Sequence, residues 1–84
     1  MIVVQLIGAP SCRRYQKMRE IVVTEAERLN IPIRLEEIDG AARLAQYNPL
    51  SLPRLDIGGN LVASPNPPTP TAVAHHLQTH AQSS

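Results

Sequence analysis

An α/β fold with a four-stranded mixed sheet follows from three features of this 84-residue chain. Residues 2–7 form an apolar, β-branched run broken only by Gln5. Residues 12–29 repeat apolar side chains at helical spacing, and Gly58-Gly59-Asn60 lies between two short strand-like runs as a hairpin signal. Strand, helix and strand in succession make a βαβ unit, whose strands run parallel with a right-handed crossover. The hairpin then adds an antiparallel pair, so the sheet is mixed.

The first strand reads as central and buried on both faces, because its apolar run hardly alternates. Gly8 to Ser11 forms a loop, with Ser11 as N-cap of the helix that follows. Tyr15, Met18, Val22, Ala26 and Leu29 make the buried stripe of that helix, and Asn30 suits the left-handed position that ends it. A second strand covers Ile31 to Ile38, placed near an edge by Pro32 and its charges. Asp39 caps a short helix over Ala41 to Tyr47, with Leu44 and Tyr47 turned inward, and Pro49 stops it. Residues 53–57 and 60–64 are the hairpin strands. Thr69 and Pro70 open a last helix as N-cap and first residue, burying Val73, Leu77 and either Ala74 or His76. The order is β-α-β-α-β-β-α in one domain, 1–84, with a core over about 2–80 and a polar tail at 81–84.

Composition narrows the function. No Phe or Trp and only two Tyr are present, so no aromatic platform exists for stacking bases, and a net charge of +1 gives nucleic acid no basic surface. The N-terminal apolar run lacks a basic flank and is too short for a signal peptide or a membrane span. One cysteine excludes an intramolecular disulfide and hence a disulfide-built secreted scaffold. A soluble cytoplasmic protein is expected, with neither nucleic acid nor membrane as partner.

That cysteine, Cys12, stands where the first strand becomes the first helix. Unpaired N–H groups and the positive end of the helix dipole favour thiolate there, and thiolate is the nucleophilic form. His76 and His80 share a helix face, but no third ligand accompanies them, so no metal site is assigned. Glu36, Glu37 and Asp39 read as solvated strand-end charges.

The element order, Cys12 at the first helix start, and Ser51-Leu52-Pro53-Arg54-Leu55-Asp56-Ile57-Gly58-Gly59 opening the hairpin together resemble the thioredoxin-like superfamily. The likeness is to small glutaredoxin-like and single-domain thioredoxin proteins, and it covers about residues 2–80. It implies a three-layer fold, a nucleophilic role for Cys12, and a cis peptide at Leu52–Pro53 whose preceding backbone pairs with substrate. It also places substrate contacts at Pro10, Ser11, Arg13, Arg14, Tyr15, Leu52, Pro53 and Arg54. The second cysteine of the family's Cys-x-x-Cys motif falls on Tyr15, so the chain has no resolving thiol.

Two functions follow from the resemblance. One is a monothiol thiol–disulfide oxidoreductase acting through Cys12 on a disulfide-containing or glutathionylated protein. It has no resident cofactor, and glutathione would serve as co-substrate. Arg13, Arg14 and Arg54 would hold the glutathione carboxylates, although Ala63-Ser64-Pro65-Asn66-Pro67 replaces the glycine-rich acidic turn usual in glutathione users. The other is a redox-inactive module that binds a protein or peptide in the groove beside Pro53.

Overall fold

In the computed structural model, which describes residues 1–83, four strands and three helices follow the expected order. They are β1 (Ile2–Ile7), α1 (Arg13–Arg28), β2 (Ile33–Ile38), α2 (Ala41–Leu44), β3 (Arg54–Ile57), β4 (Asn60–Ala63) and α3 (Pro70–Ser83). A 3₁₀ turn over Pro49–Ser51 lies between α2 and β3. The sheet order is β2-β1-β3-β4, with β1 parallel to β2 and antiparallel to β3, and β3 antiparallel to β4.

Helix α1 forms because its apolar residues recur every three or four positions. Tyr15, Met18, Ile21, Val22 and Ala26 are buried, together with Glu25, whose carboxylate accepts two hydrogen bonds from Arg28. Its C-terminus is closed by a Schellman motif: Asn30 N donates to Glu27 O and Ile31 N to Ala26 O, with Asn30 at φ 54°. Helix α3 starts as expected, since Ala72 N donates to Thr69 Oγ1 at 3.1 Å. Both helices share one core with Ile2, Val4, Leu6, Leu55 and Ile57, so they cover the same face of the sheet. Each fully buried aliphatic side chain there contributes about 1.5–3 kcal/mol.

Several local expectations need correction. Cys12, not Ser11, is the N-cap of α1, because Ser11 lies within the preceding turn and Cys12 holds the extended conformation (φ −73°, ψ 132°). Gly40, not Asp39, precedes α2, which has only four residues and buries none of them. Leu44 and Tyr47 are half-buried, and Pro49 begins the 3₁₀ turn instead of stopping a helix. Strand β2 starts at Ile33, two residues later than expected, because the Schellman turn consumes Ile31 and Pro32. Helix α3 runs on to Ser83, with Ala81 packed against the core, where the sequence predicts a polar tail; Ser84 lies outside the described residues.

Strand β1 is also less enclosed than its sequence suggests, for Val3 and Gln5 are only half-buried. The face they occupy carries a polar row, Glu36–Gln5–Asp56, across β2, β1 and β3. Gln5 Nε2 donates to Glu36 Oε1 at 3.2 Å, and Arg54 Nε to Asp56 Oδ1 at 2.9 Å. The α2 segment approaches this face, since Arg43 acts electrostatically on Glu36 and Tyr47 on Arg54.

Candidate functional site

Register brings the two sequence motifs together. Ile7 pairs with Arg54, so the residue after Ile7 and the residue before Arg54 meet at one end of the sheet. Those residues are Gly8 and Pro53. A Cβ placed on Gly8 would stand 3.1 Å from Pro53 Cβ and 3.2 Å from Tyr15 Cδ2. Glycine is needed there for space and for its φ of 156°. This is the carboxyl end of the parallel β1–β2 pair, where open α/β sheets commonly bind ligands.

From Gly8 the chain turns back on itself. Gly8 N donates to Ile38 O, extending the β1–β2 ladder by one residue, and Cys12 N donates to Ala9 O at 2.9 Å. Gln16 N then donates to Cys12 O at 3.0 Å as the first bond of α1, and Gln16 Nε2 reaches Pro10 O at 3.0 Å. These bonds fix Cys12 at the helix start. Its side chain makes no capping hydrogen bond, packs along the core edge and stays partly exposed.

The other predicted site residues divide into groups. Pro10, Ser11, Arg13 and Arg14 are exposed around Cys12, and neither arginine has an ion-pair or hydrogen-bond partner among the described residues. Leu52 is half-buried and Pro53 buried; their peptide bond is cis. Arg54 begins β3, but its Nε is held by Asp56, and that hydrogen bond raises its pKa above the ordinary guanidinium value. Tyr15 is 1% exposed, and its hydroxyl donates to Glu37 Oε1 at 2.8 Å. Burial first and the Glu37 bond second raise the phenol's pKa well above its ordinary range, so it is neutral at physiological pH. Its ring therefore supports the Cys12 loop from below, and its hydroxyl belongs to Glu37.

Sequence reasoning missed the 3₁₀ turn and what it carries. Leu50 is 82% exposed on it, next to Ser51 and Leu52. Ser64 Oγ donates to Ser51 O, which draws the end of β4 beside the Leu52–Pro53 segment. Leu50, Leu52 and Ser64 thus gather at the segment that leads into Pro53, whose ring meets the Gly8 position. The sequence signal for the turn was Asn48-Pro49, an N-cap and first-residue pair, and Asn48 Oδ1 does accept from Leu50 N at 3.0 Å.

Glu36 and Glu37 are not loose solvated charges. Glu37 accepts from Tyr15 and from Arg19 Nε (3.2 Å), while Glu36 is held by Arg34 and Gln5, Arg34 first in effect, which lowers its pKa. On α3, His80 Nε2 lies 3.2 Å from Asn60 Nδ2 and its ring packs over Gly58. Among the described residues no group of three or more His, Cys, Asp or Glu side chains is placed to hold a metal ion. No helix of the described residues is long and apolar enough to cross a membrane. Compared with known proteins, the chain matches no family model and no curated sequence.

Proposed function

We propose that this protein is a thioredoxin-like, monothiol thiol–disulfide oxidoreductase in which Cys12 is the nucleophile. The observation that carries this reading is the placement of Cys12. It is a partly exposed N-cap at the carboxyl end of the parallel strands, beside the Gly8–Pro53 contact. The first-turn N–H groups of α1 lie at that helix start, where they favour a negative sulfur.

The reaction proceeds in two exchanges. The Cys12 thiolate attacks the glutathione sulfur of a glutathionylated protein. A bond forms between Cys12 Sγ and that sulfur, the original S–S bond breaks, and the protein thiolate leaves and takes a proton from water. A free glutathione thiolate then attacks the mixed disulfide, releasing oxidised glutathione and restoring Cys12. One thiol suffices, because the second glutathione supplies the resolving sulfur that Tyr15 does not. Arg13 and Arg14, exposed next to Cys12 and without an ion-pair or hydrogen-bond partner among the described residues, are suited to glutathione's carboxylates. Arg54 is less available, since Asp56 holds its Nε.

The second reading, a redox-inactive module of the same fold in the cytoplasm, draws on exposed Leu50. This residue offers a protein or peptide partner an apolar contact beside Leu52 and Pro53. A turnover assay separates the two. With a glutathionylated peptide and excess glutathione, the oxidoreductase releases peptide thiol catalytically, and Cys12→Ser abolishes the release. Equal rates with wild type, Cys12→Ser and no protein would leave only the binding module.

A further inference from the structure

We propose that the free edge of β2 pairs antiparallel with β2 of a second copy of this chain, joining the two sheets through a two-fold axis at Leu35. The inference does not depend on Cys12, which lies at the start of α1.

The outer edge of β2 is six residues long and has no neighbouring strand among the described residues. Gly8 N donates to Ile38 O, so the Ile38 carbonyl points at β1. Backbone groups alternate along a strand, so those of Arg34 and Glu36 also point at β1, and those of Ile33, Leu35 and Glu37 point outward. Pro32 is in step with Arg34, so its missing N–H falls on the inner side and leaves the outer edge uninterrupted. The opposite edge, β4, has four residues and runs into a segment with prolines at 65, 67, 68 and 70.

Charge and strand overlap then select one register. A two-fold axis normal to the sheet keeps each face on its own side, so it must pass through a residue position. Centred on Arg34, it sets two arginines opposite each other; centred on Glu36 or Glu37, two carboxylates; centred on Ile33, it sets Leu35 opposite Ile31, whose N–H the turn after α1 already uses. Centred on Leu35, it sets Arg34 opposite the partner's Glu36 on both sides of the axis, as a close, non-hydrogen-bonded pair. Arg34 already lies against Glu36 of its own strand, so the four side chains form a ring of alternating sign. In the same register Leu35 meets the partner's Leu35, and Ile33 meets the partner's Glu37, all through outward-pointing backbone groups.

The helix-side face supports the same partner. Val23, Ala26, Ile31, Pro32, Ile33 and Leu35 line a mostly apolar groove of about 430 Å³ between α1 and the β2 edge. Ile33 and Leu35 pair with the buried Ile2 and Val4 of β1, yet are themselves only half-buried. Pairing through β2 brings the two grooves together and covers both residues, which removes apolar surface from water. A strand with like charges at 34 and 36 would repel its own copy; this one complements it.

Sedimentation equilibrium of the full chain, from low micromolar to near-millimolar and with reductant throughout, tests the proposal. A concentration-dependent dimer is expected, and in it the amides of Ile33, Leu35 and Glu37 gain protection from hydrogen exchange. Arg34→Glu sets a carboxylate against the partner's Glu36 and should weaken the dimer about tenfold or more. Adding Glu36→Arg to that variant reverses the charges and should restore dimerisation. A monomer at every concentration overturns the proposal, whether the edge is free or serves another protein's strand. A dimer indifferent to Arg34→Glu, or one without protection at those three amides, overturns this interface. Failure of the charge-reversed pair to rescue overturns the register. The exchange measurement on the wild-type chain decides the matter should Arg34→Glu fail to fold.

Discussion

Replacing Tyr15 with Phe removes one oxygen from the support under the Cys12 loop, and the structure sets the cost. The ring is 1% exposed and in contact range of Gly8, so its packing survives the change. What is lost is the 2.8 Å hydrogen bond to Glu37. A buried bond to a charged acceptor is worth about 1.5–3 kcal/mol. The Glu37 side chain, however, is 40% exposed and keeps Arg19 at 3.2 Å, so its carboxylate is not stranded. The loss at neutral pH should therefore fall near the low end, about 1–1.5 kcal/mol. Against a total of about 4–13 kcal/mol for a chain of this length, that is measurable. The same bond predicts a pH dependence. Burial, and then Glu37, hold the phenol's pKa above its unfolded value of about 10. The unfolded chain thus releases that proton first. The contribution is complete below pH about 10 and falls as pH rises further, by at most about 1.4 kcal/mol per unit. Urea unfolding of wild type and Tyr15→Phe between pH 7 and 11 reads both effects. A Phe variant as stable as wild type at pH 7, with the same alkaline loss, would refute the argument.

Two further outcomes follow from the same region. Gly8→Ala should destabilise by about 1–3 kcal/mol in urea unfolding, through its φ of 156° and its new contacts with Pro53 and Tyr15; a neutral effect would mean that Gly8 and Pro53 are not in contact. Cys12→Ser should change stability by less than about 1 kcal/mol, because the hydroxyl supplies the cap bond that the thiol does not make and offsets lost packing. A loss above about 2 kcal/mol would mark Cys12 as a core residue.

How much of this was legible in the sequence depended on whether a signal was local. Helix α1, the Asn30 terminus, the Gly58–Gly59 hairpin and the Thr69 cap each rest on side chains within one or two turns, and each formed as read. Ser11 against Cys12 at the first cap, and Asp39 against Gly40 at the second, differ by one residue, because either short loop could turn one position later. The Gly8–Pro53 contact was not read, since register between distant strands leaves little trace in composition; the family resemblance implied only the cis bond at Leu52–Pro53. The partners of Glu36 and Glu37 were illegible for the same reason. Gln5, Tyr15 and Arg19 reach them only once β2 lies beside β1 under α1. The role of Tyr15 was half legible: its place in the apolar stripe predicted burial, but not the carboxylate that takes its hydroxyl.

The reactivity of Cys12 in the folded chain tests the central claim most directly. Fully reduced protein is exposed to oxidised glutathione at neutral pH, and intact mass is followed in time, with the same chain in urea as reference. An active nucleophile at the α1 N-terminus should gain one glutathione at Cys12, and should gain it faster folded than unfolded, because only the fold supplies the helix start, whereas Arg13 and Arg14 neighbour Cys12 in both states. Added glutathione should then remove it. A folded chain that stays unmodified while the unfolded chain reacts would show Cys12 to be an inert, partly covered side chain, and the oxidoreductase account would be wrong.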